Sequence, residues 1–175
     1  YNRERQFAKK IASQLDTLEN RLAKLAIVDK GGQMRGLQPN WAQRQFVSVM
    51  GEQAKRKLPI RIIILKARQL GMSTITQGVM FLNANSTPNY SVMVAAHTDD
   101  SSTAIFDKAR LMQDMLEDGM KRPMDNTNRK ELIWAAPHRS RFVVQTAGRK
   151  QLGRALTLQA LHASELAFWP NATES

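Results

Sequence analysis

Residues 60–74, IRIIILKARQLGMST, combine an apolar run, a short polar loop and the start of a further segment. The apolar run is short and rich in β-branched residues, which is typical of a central strand in a parallel sheet. Gly71 ends the polar loop, and Ser73 and Thr74 begin a segment with helical character. The stretch therefore predicts a strand, a turn and a helix from Ser73 to about Asn83, as in an α/β fold.

The loop in this stretch has the layout of a phosphate-binding loop whose usual lysine is missing. In such loops, backbone N–H groups and a helix N-terminus face the phosphates, a lysine adds charge and a Ser or Thr hydroxyl binds Mg²⁺. Here Met72 holds the lysine position, whereas Lys66 lies at the strand-to-loop junction and Arg68 lies inside the loop. We interpret Lys66 as a displaced lysine, and a plain strand-to-helix turn is the alternative for this motif alone.

A carboxylate at the exit of another apolar strand would complete a nucleotide-hydrolysing site. Residues 155–165, ALTLQALHASE, end in Ser164 and Glu165. Glu165 would activate water or hold Mg²⁺ indirectly, and Ser164 stands where a metal-binding Asp is usual. Taken alone, Glu165 would be interpreted as an acid that caps the following helix.

Helices and strands alternate along the rest of the chain. Apolar residues spaced by three and four predict an N-terminal amphipathic helix, which a glycine-rich loop at 29–36 ends. Two further helices are predicted, at 41–57 with Asn40 as the N-cap and at 98–118 with Thr98 or Asp99 as the cap. Four further strands are predicted, at 90–97, 131–136, 141–147 and 155–163. We therefore divide the chain into an N-terminal helical segment with its loop, 1–36, and an α/β domain, 37–175.

The composition favours a polyanionic partner. Lys and Arg number 26 against 15 acids, a net charge of +11, and the cations cluster at 55–57 and within 121–154. Such a balance points to nucleic acid, with a merely basic soluble protein as the alternative. The chain has no cysteine, which excludes disulfides and thiolate metal sites. It also shows no apolar run of bilayer-spanning length and no signal peptide at its start, so we expect a cytosolic protein.

Four segments together resemble the ATPase domain of the large terminase subunit of tailed bacteriophages. They are LQPNWAQRQF, KARQLGMST, VMVAAHTDDSSTAIFDKAR and GRALTLQALHASELAFWP, and the resemblance spans roughly residues 37–170. It implies a P-loop NTPase of the additional-strand, catalytic-glutamate class, an α/β fold with a mainly parallel sheet flanked by helices. It also implies ATP and Mg²⁺ as ligands and a motor that drives double-stranded DNA into a procapsid.

The resemblance assigns roles to individual residues. The nucleotide-binding residues it implies are Gln43, Lys66, Arg68, Gln69, Gly71, Met72, Ser73 and Thr74. Among these, Gln43 would read the adenine edge, Lys66 and Arg68 would take part in catalysis, and Ser73 would bind the metal. Glu165 would orient the attacking water and take part in holding Mg²⁺. Arg149 or Arg154, in the basic loop before the last strand, would act in trans on a neighbouring subunit's nucleotide.

The same resemblance implies partners. They are double-stranded DNA, the portal protein of the procapsid, the small terminase subunit and further copies of the chain in a ring, with no membrane, in the host cytoplasm while docked on the portal. A coupling motif and a C-terminal nuclease domain are expected beyond Ser175. The isolated chain should be a poor ATPase and mostly monomeric at dilute concentration, because a ring motor commonly completes its site with an arginine from the neighbouring subunit. The alternatives are another DNA translocase or helicase-like ATPase and a non-catalytic DNA- or capsid-binding module. His97, His138 and His162 lack ligand spacing, and we interpret them as structural.

Overall fold

The chain forms an α/β fold with a five-stranded mixed sheet flanked by helices. A computed structural model describes residues 18–66, 69–128, 130–147 and 157–169, apart from the side chains of residues 126 and 127. The helices are α1 (18–23), α2 (Trp41–Lys55), α3 (Met72–Ser86) and α4 (Asp99–Asp114). A separate antiparallel pair consists of β1 (Ala26–Val28) and β2 (Met34–Gly36). The main sheet consists of β3 (Ser91–Ala96), β4 (Met124–Thr127), β5 (Glu131–Trp134), β6 (Arg141–Thr146) and β7 (Ala160–Ala163).

The main sheet is only partly parallel, which corrects the expected mainly parallel sheet. Its order is β4-β5-β6-β3-β7, with β3 parallel to both β6 and β7 and with β5 antiparallel to β4 and β6. The connections that lead into β5 and out of it are too short for a crossover. Parallel neighbours need a dozen or more connecting residues, so short connections produce antiparallel pairs.

Residues 60–66 correct the prediction of a central strand. They belong to no strand of the described sheets, and Ile63 and Leu65 are 99% and 102% exposed. The Gln53 side chain on α2 hydrogen-bonds the backbone of Arg61 in place of a neighbouring strand. Its Nε2 donates to the Arg61 carbonyl at 3.1 Å, and its Oε1 accepts from the Arg61 N–H at 2.8 Å. Hydropathy identifies residues that suit a buried strand, but a strand also needs a neighbour that takes its backbone hydrogen bonds.

Two elements form where the sequence predicts loops. The glycine-rich segment 29–36 contributes β2 and the turn of the β1–β2 hairpin. Asp29 organises this turn, because its carboxylate accepts hydrogen bonds from the Gly31 and Gln33 N–H groups at 2.9 and 3.0 Å. The polar segment 119–130 likewise contains β4, which pairs with β5.

The predicted helices are confirmed where local capping signals are strong. Asn40 and Gln43 form a reciprocal capping box at the start of α2, and the Thr98 hydroxyl accepts from the Ser101 N–H at the start of α4. The helix α3 begins at Met72 and ends at Ser86, slightly longer than predicted. One face of α4 is apolar and buried, at Ile105, Ala109 and Met112, and Leu116 just beyond the end of the helix is buried as well.

The core lies between the sheet and the helices α3 and α4, which pack against each other and against β3 and β6. Aromatic packing joins α3 to β5, with the rings of Phe81 and Trp134 5.8 Å apart. Leu22 and Leu25 of the predicted N-terminal helix are fully buried, whereas the earlier residues of its pattern, Ile11 and Leu15, lie outside the described residues. Within the described part of the chain, no helix has the length and apolar character needed to cross a bilayer.

Candidate functional site

The carboxyl ends of β3 and β7 bring a histidine and a glutamate together. These strands are parallel neighbours with Ala95 opposite Ala163, so the residues two positions further on, His97 and Glu165, leave the sheet side by side. His97 Nδ1 lies 2.8 Å from Glu165 Oε2. Glu165 has φ of 56°, in the left-handed region that non-glycine residues seldom adopt. Such a conformation at a strand exit is common at functional sites.

A cleft beside this pair contains part of the predicted phosphate loop. The cleft has a volume of about 390 Å³, within the usual range for ligand sites. Its lining residues are Lys66, Gln69, His97, Glu165 and Phe168. Lys66 and Glu165 are distant in sequence, and both were predicted site residues. The structure therefore brings the proposed displaced lysine and the proposed catalytic glutamate to one cleft.

The electrostatics of β7 also indicate that Lys66 lies near it. Burial, with a further contribution from the positive charge of Lys66, lowers the pKa of His162 from 6.5 to about 4. His162 is half-buried on β7, and its Nδ1 is buried without a hydrogen-bond partner among the described residues. His162 is therefore neutral at physiological pH, in agreement with its interpretation as a partly buried strand residue.

Gly71 shapes the start of α3. It is the N-cap with φ of 70° and ψ of 16°, a left-handed conformation, and no side chain caps the helix. A Cβ atom at this position would lie 2.6 Å from Gln43 Nε2. Because the first N–H groups of a helix lack partners within the helix, an uncapped N-terminus is suited to an anion.

Two side chains at the start of α2 fasten the loop in front of α3. Gln43 Nε2 donates to the Gly71 carbonyl at 2.8 Å, and Asn40 Nδ2 donates to the Leu70 carbonyl at 3.2 Å. Gln43 is only 5% exposed, and its Oε1 accepts from the Asn40 N–H at 2.9 Å. The residue expected to read adenine thus also holds the loop, a role that the sequence did not reveal.

The predicted site residues in the first turn of α3 differ in how far their side chains are buried. The Met72 side chain is 6% exposed and packs in the core, so this position contributes only its backbone to the loop surface. Ser73 and Thr74 are half-buried. Ser164, at the expected Asp position, is 7% exposed, and its carbonyl accepts from the Trp169 indole at 3.0 Å.

Three predicted arginines, Arg68, Arg149 and Arg154, lie outside the described residues. Across the described ranges, no group of three or more acidic or histidine side chains is arranged to hold a metal ion. Mg²⁺ bound to a nucleotide takes most of its ligands from phosphate and water and few from protein. The Ser73 hydroxyl and the Glu165 carboxylate therefore fit a magnesium site of that kind by their chemistry.

A second cleft lies between the end of α2 and residues 58–61. Its lining consists of Val49, Glu52, Gln53, Arg56, Leu58, Pro59 and Arg61. It includes neither the loop before α3 nor the strand ends, so the candidate site is the cleft at Lys66 and Glu165.

The His97–Glu165 contact was missed by the sequence reasoning, which interpreted His97 as structural. A usable signal existed, because both residues lie at the end of an apolar run predicted as a strand: His97 is the last residue of 90–97, and Glu165 comes two residues after 155–163. Its use required the knowledge that these two strands are neighbours in this register.

A search of the chain against models of known protein families finds no match, and a search of curated proteins finds none either.

Proposed function

We propose that this chain is a P-loop ATP hydrolase and the motor domain of a DNA-packaging machine of the large-terminase kind. The observation that carries the proposal is the convergence of Lys66 and Glu165 on one cleft, next to the loop that leads into the uncapped helix α3. A cation, a helix N-terminus and a carboxylate at a strand exit are the parts that phosphoryl transfer to water requires.

In this proposal, the loop and α3 bind the phosphates. The Lys66 ammonium neutralises charge on the β- and γ-phosphates, and the first N–H groups of α3 donate to phosphate oxygens. Arg68 and Gln69 add polar contacts from the loop. Gln43 reads the adenine edge with the amide N–H and the lone pair left over from its bonds to Gly71 and Asn40.

The reaction is hydrolysis of ATP to ADP and phosphate. The water oxygen bonds to the γ-phosphorus as the bond to the β–γ bridging oxygen breaks, and ADP leaves with the electron pair. Glu165 orients this water and accepts its proton, which then passes to solvent. Ser73 would hold Mg²⁺ with Glu165 nearby, and the ion would supply positive charge that stabilises the phosphates.

The test is hydrolysis by purified protein with Mg²⁺–ATP, with and without double-stranded DNA. We expect Lys66→Ala to lower the rate a hundredfold or more, as for removal of one transition-state charge contact. We expect Glu165→Gln to reduce turnover to a small residual rate but keep nucleotide affinity, because the amide hydrogen-bonds but is not a base. Lys30→Ala is a matched cation control, since Lys30 contacts the Gln69 side chain at 3.3 Å from outside the cleft lining. Full activity of Lys66→Ala would refute the interpretation of Lys66 as the displaced lysine of the phosphate loop.

The DNA-packaging part of the proposal rests on the charge of +11 and on the resemblance described above. Phosphate contacts by Lys and Arg make binding strongly salt-dependent. Double-stranded DNA should therefore bind, and its affinity should fall steeply as salt rises.

The same proposal includes the partners that the resemblance implies: the portal protein of the procapsid, the small terminase subunit and further copies of the chain in a ring. It also includes an arginine, Arg149 or Arg154, that acts in trans on a neighbouring subunit's nucleotide. Restored hydrolysis on mixing an Arg→Ala variant with Glu165→Gln would support action in trans.

A non-catalytic DNA-binding module is the second candidate, and two observations favour it. Met72 buries the side chain at the usual lysine position, and Ser164 supplies no charge at the usual Asp position. This candidate predicts that wild-type protein binds ATP and DNA without hydrolysis above background. The rate measurement on wild type therefore separates the two candidates.

A further inference from the structure

His97 is less exposed and has more contacts than the glutamate beside it. Its side chain is 26% exposed, whereas that of Glu165 is 46% exposed. His97 directly follows β3, which has neighbours on both sides, and its ring lies 5.9 Å from the Phe168 ring. Ser101 Oγ lies 3.5 Å from His97 Nδ1, from the first turn of α4. The imidazole is thus positioned by the sheet, by α4 and by the turn after β7.

Within the described part of the chain, His97 is the one side chain that forms an ion pair with the Glu165 carboxylate. Glu165 follows β7, an edge strand of four residues, and its backbone has positive φ. A flexible glutamate side chain samples several rotamers, and a misplacement of about 1 Å in a reacting group can cost roughly a hundredfold in rate. A fixed donor 2.8 Å from Oε2 selects one carboxylate orientation and leaves Oε1 for another partner.

We propose that His97 is a positioning residue for Glu165: its Nδ1–H donates to Oε2, so that Oε1 faces the water that attacks the γ-phosphate. This inference rests on the proposed function and adds a residue to that site. His97 contacts neither the water nor the phosphate in this role. It acts only through the orientation of Glu165, as a hydrogen-bonding partner does behind other catalytic groups.

The test compares His97→Asn with His97→Leu. The two replacements have the same number of side-chain heavy atoms and the same branching at Cγ, but only Asn has an N–H donor close to the place of Nδ1. We expect His97→Leu to lower kcat by roughly tenfold to a hundredfold, with the KM for ATP changed less than about twofold. His97→Asn should retain most of kcat. Equal kcat values for the Asn and Leu variants, with folding verified by thermal unfolding, would overturn the positioning role.

A double variant shows whether His97 acts through Glu165. If it does, His97→Leu combined with Glu165→Gln should hydrolyse ATP no more slowly than Glu165→Gln alone, because the group being oriented is already disabled. A further tenfold loss would show an independent role and contradict the proposal. Failure of the proposed function is distinguishable: wild-type protein would then not hydrolyse ATP at all, and the positioning role would fall with it. If wild type is active but His97→Leu equals it, only the positioning role fails.

Discussion

At the scale of single residues, Gly71 combines a backbone constraint with a close side-chain contact. Its φ of 70° strains any residue with a side chain, and a Cβ would lie 2.6 Å from Gln43 Nε2. We expect Gly71→Ala to lower the free energy of unfolding by about 1–3 kcal/mol, measured by chemical denaturation.

The matched control is Gly119→Ala, because a Cβ there meets nothing within 4 Å. This variant should be close to wild type in stability. Combining Gly71→Ala with Gln43→Ala removes the close contact but keeps the backbone strain, so the double variant should lose less than the sum of the two single losses. Equal stability of the Gly71 and Gly119 variants would contradict the described loop conformation.

We expect the stability of the folded protein to depend on pH through His162, and the sign of the dependence follows from the lowered pKa of about 4 for this residue. Between pH 6.5 and 4, the unfolded chain takes up a proton at His162 and the folded chain does not. The folded state is therefore favoured above about pH 6.5 and loses up to about 3 kcal/mol as pH falls to about 4. His162→Gln should flatten this part of the profile.

Denaturant titrations of both proteins at several pH values measure the effect, and the difference between the two profiles removes the contribution of the carboxylates that they share. Lys66→Ala should flatten the wild-type profile partially, since the Lys66 charge is the smaller of the two causes. Identical profiles for wild type and His162→Gln would mean that His162 titrates normally in the folded protein.

At the scale of elements, the predicted and the observed fold differ at residues 60–66. Their apolar pattern predicts a buried central strand, whereas the structure exposes Ile63 and Leu65 completely. We expect the double variant Ile63→Lys/Leu65→Lys to keep the thermal midpoint of wild type and to reduce self-association at high concentration, because exposed apolar segments promote association.

Analytical ultracentrifugation over a concentration series, together with thermal unfolding, measures both effects. Val92→Lys/Val94→Lys is the matched control on β3, where both residues are fully buried, and it should not fold. Strong destabilisation by the 63/65 substitutions would show that the segment is buried in solution, as its sequence suggests.

Local signals account for the elements that were predicted correctly. The helices α2 and α4 begin where a capping side chain within three residues satisfies a free N–H group, at Asn40 and Thr98. The hairpin β1–β2 was missed, because its turn depends on the Asp29 carboxylate rather than on a long apolar pattern. Strand β4 was missed because its sequence, MDNT, is polar and short.

At the scale of the whole molecule, charge and sheet order carry different information. The charge of +11 follows from composition alone and bears on partners, not on fold. The sheet order β4-β5-β6-β3-β7 brings the exits of β3 and β7 together and leaves β7 at an edge. The candidate site exists because of this order, since its residues come from three separate parts of the chain.

The sequence by itself determined the α/β class, the starts of the capped helices α2 and α4, the glycine at position 71 and the residue types of the candidate site. These features depend on periodicity, capping and backbone freedom over a few residues, which a linear pattern contains. The tertiary structure alone decided that β5 and β6 are antiparallel, that residues 60–66 join no described strand, and that His97 contacts Glu165. Those outcomes depend on which distant segments become neighbours and in what register, and the free energy of such pairings is shared between both segments and belongs to neither sequence alone.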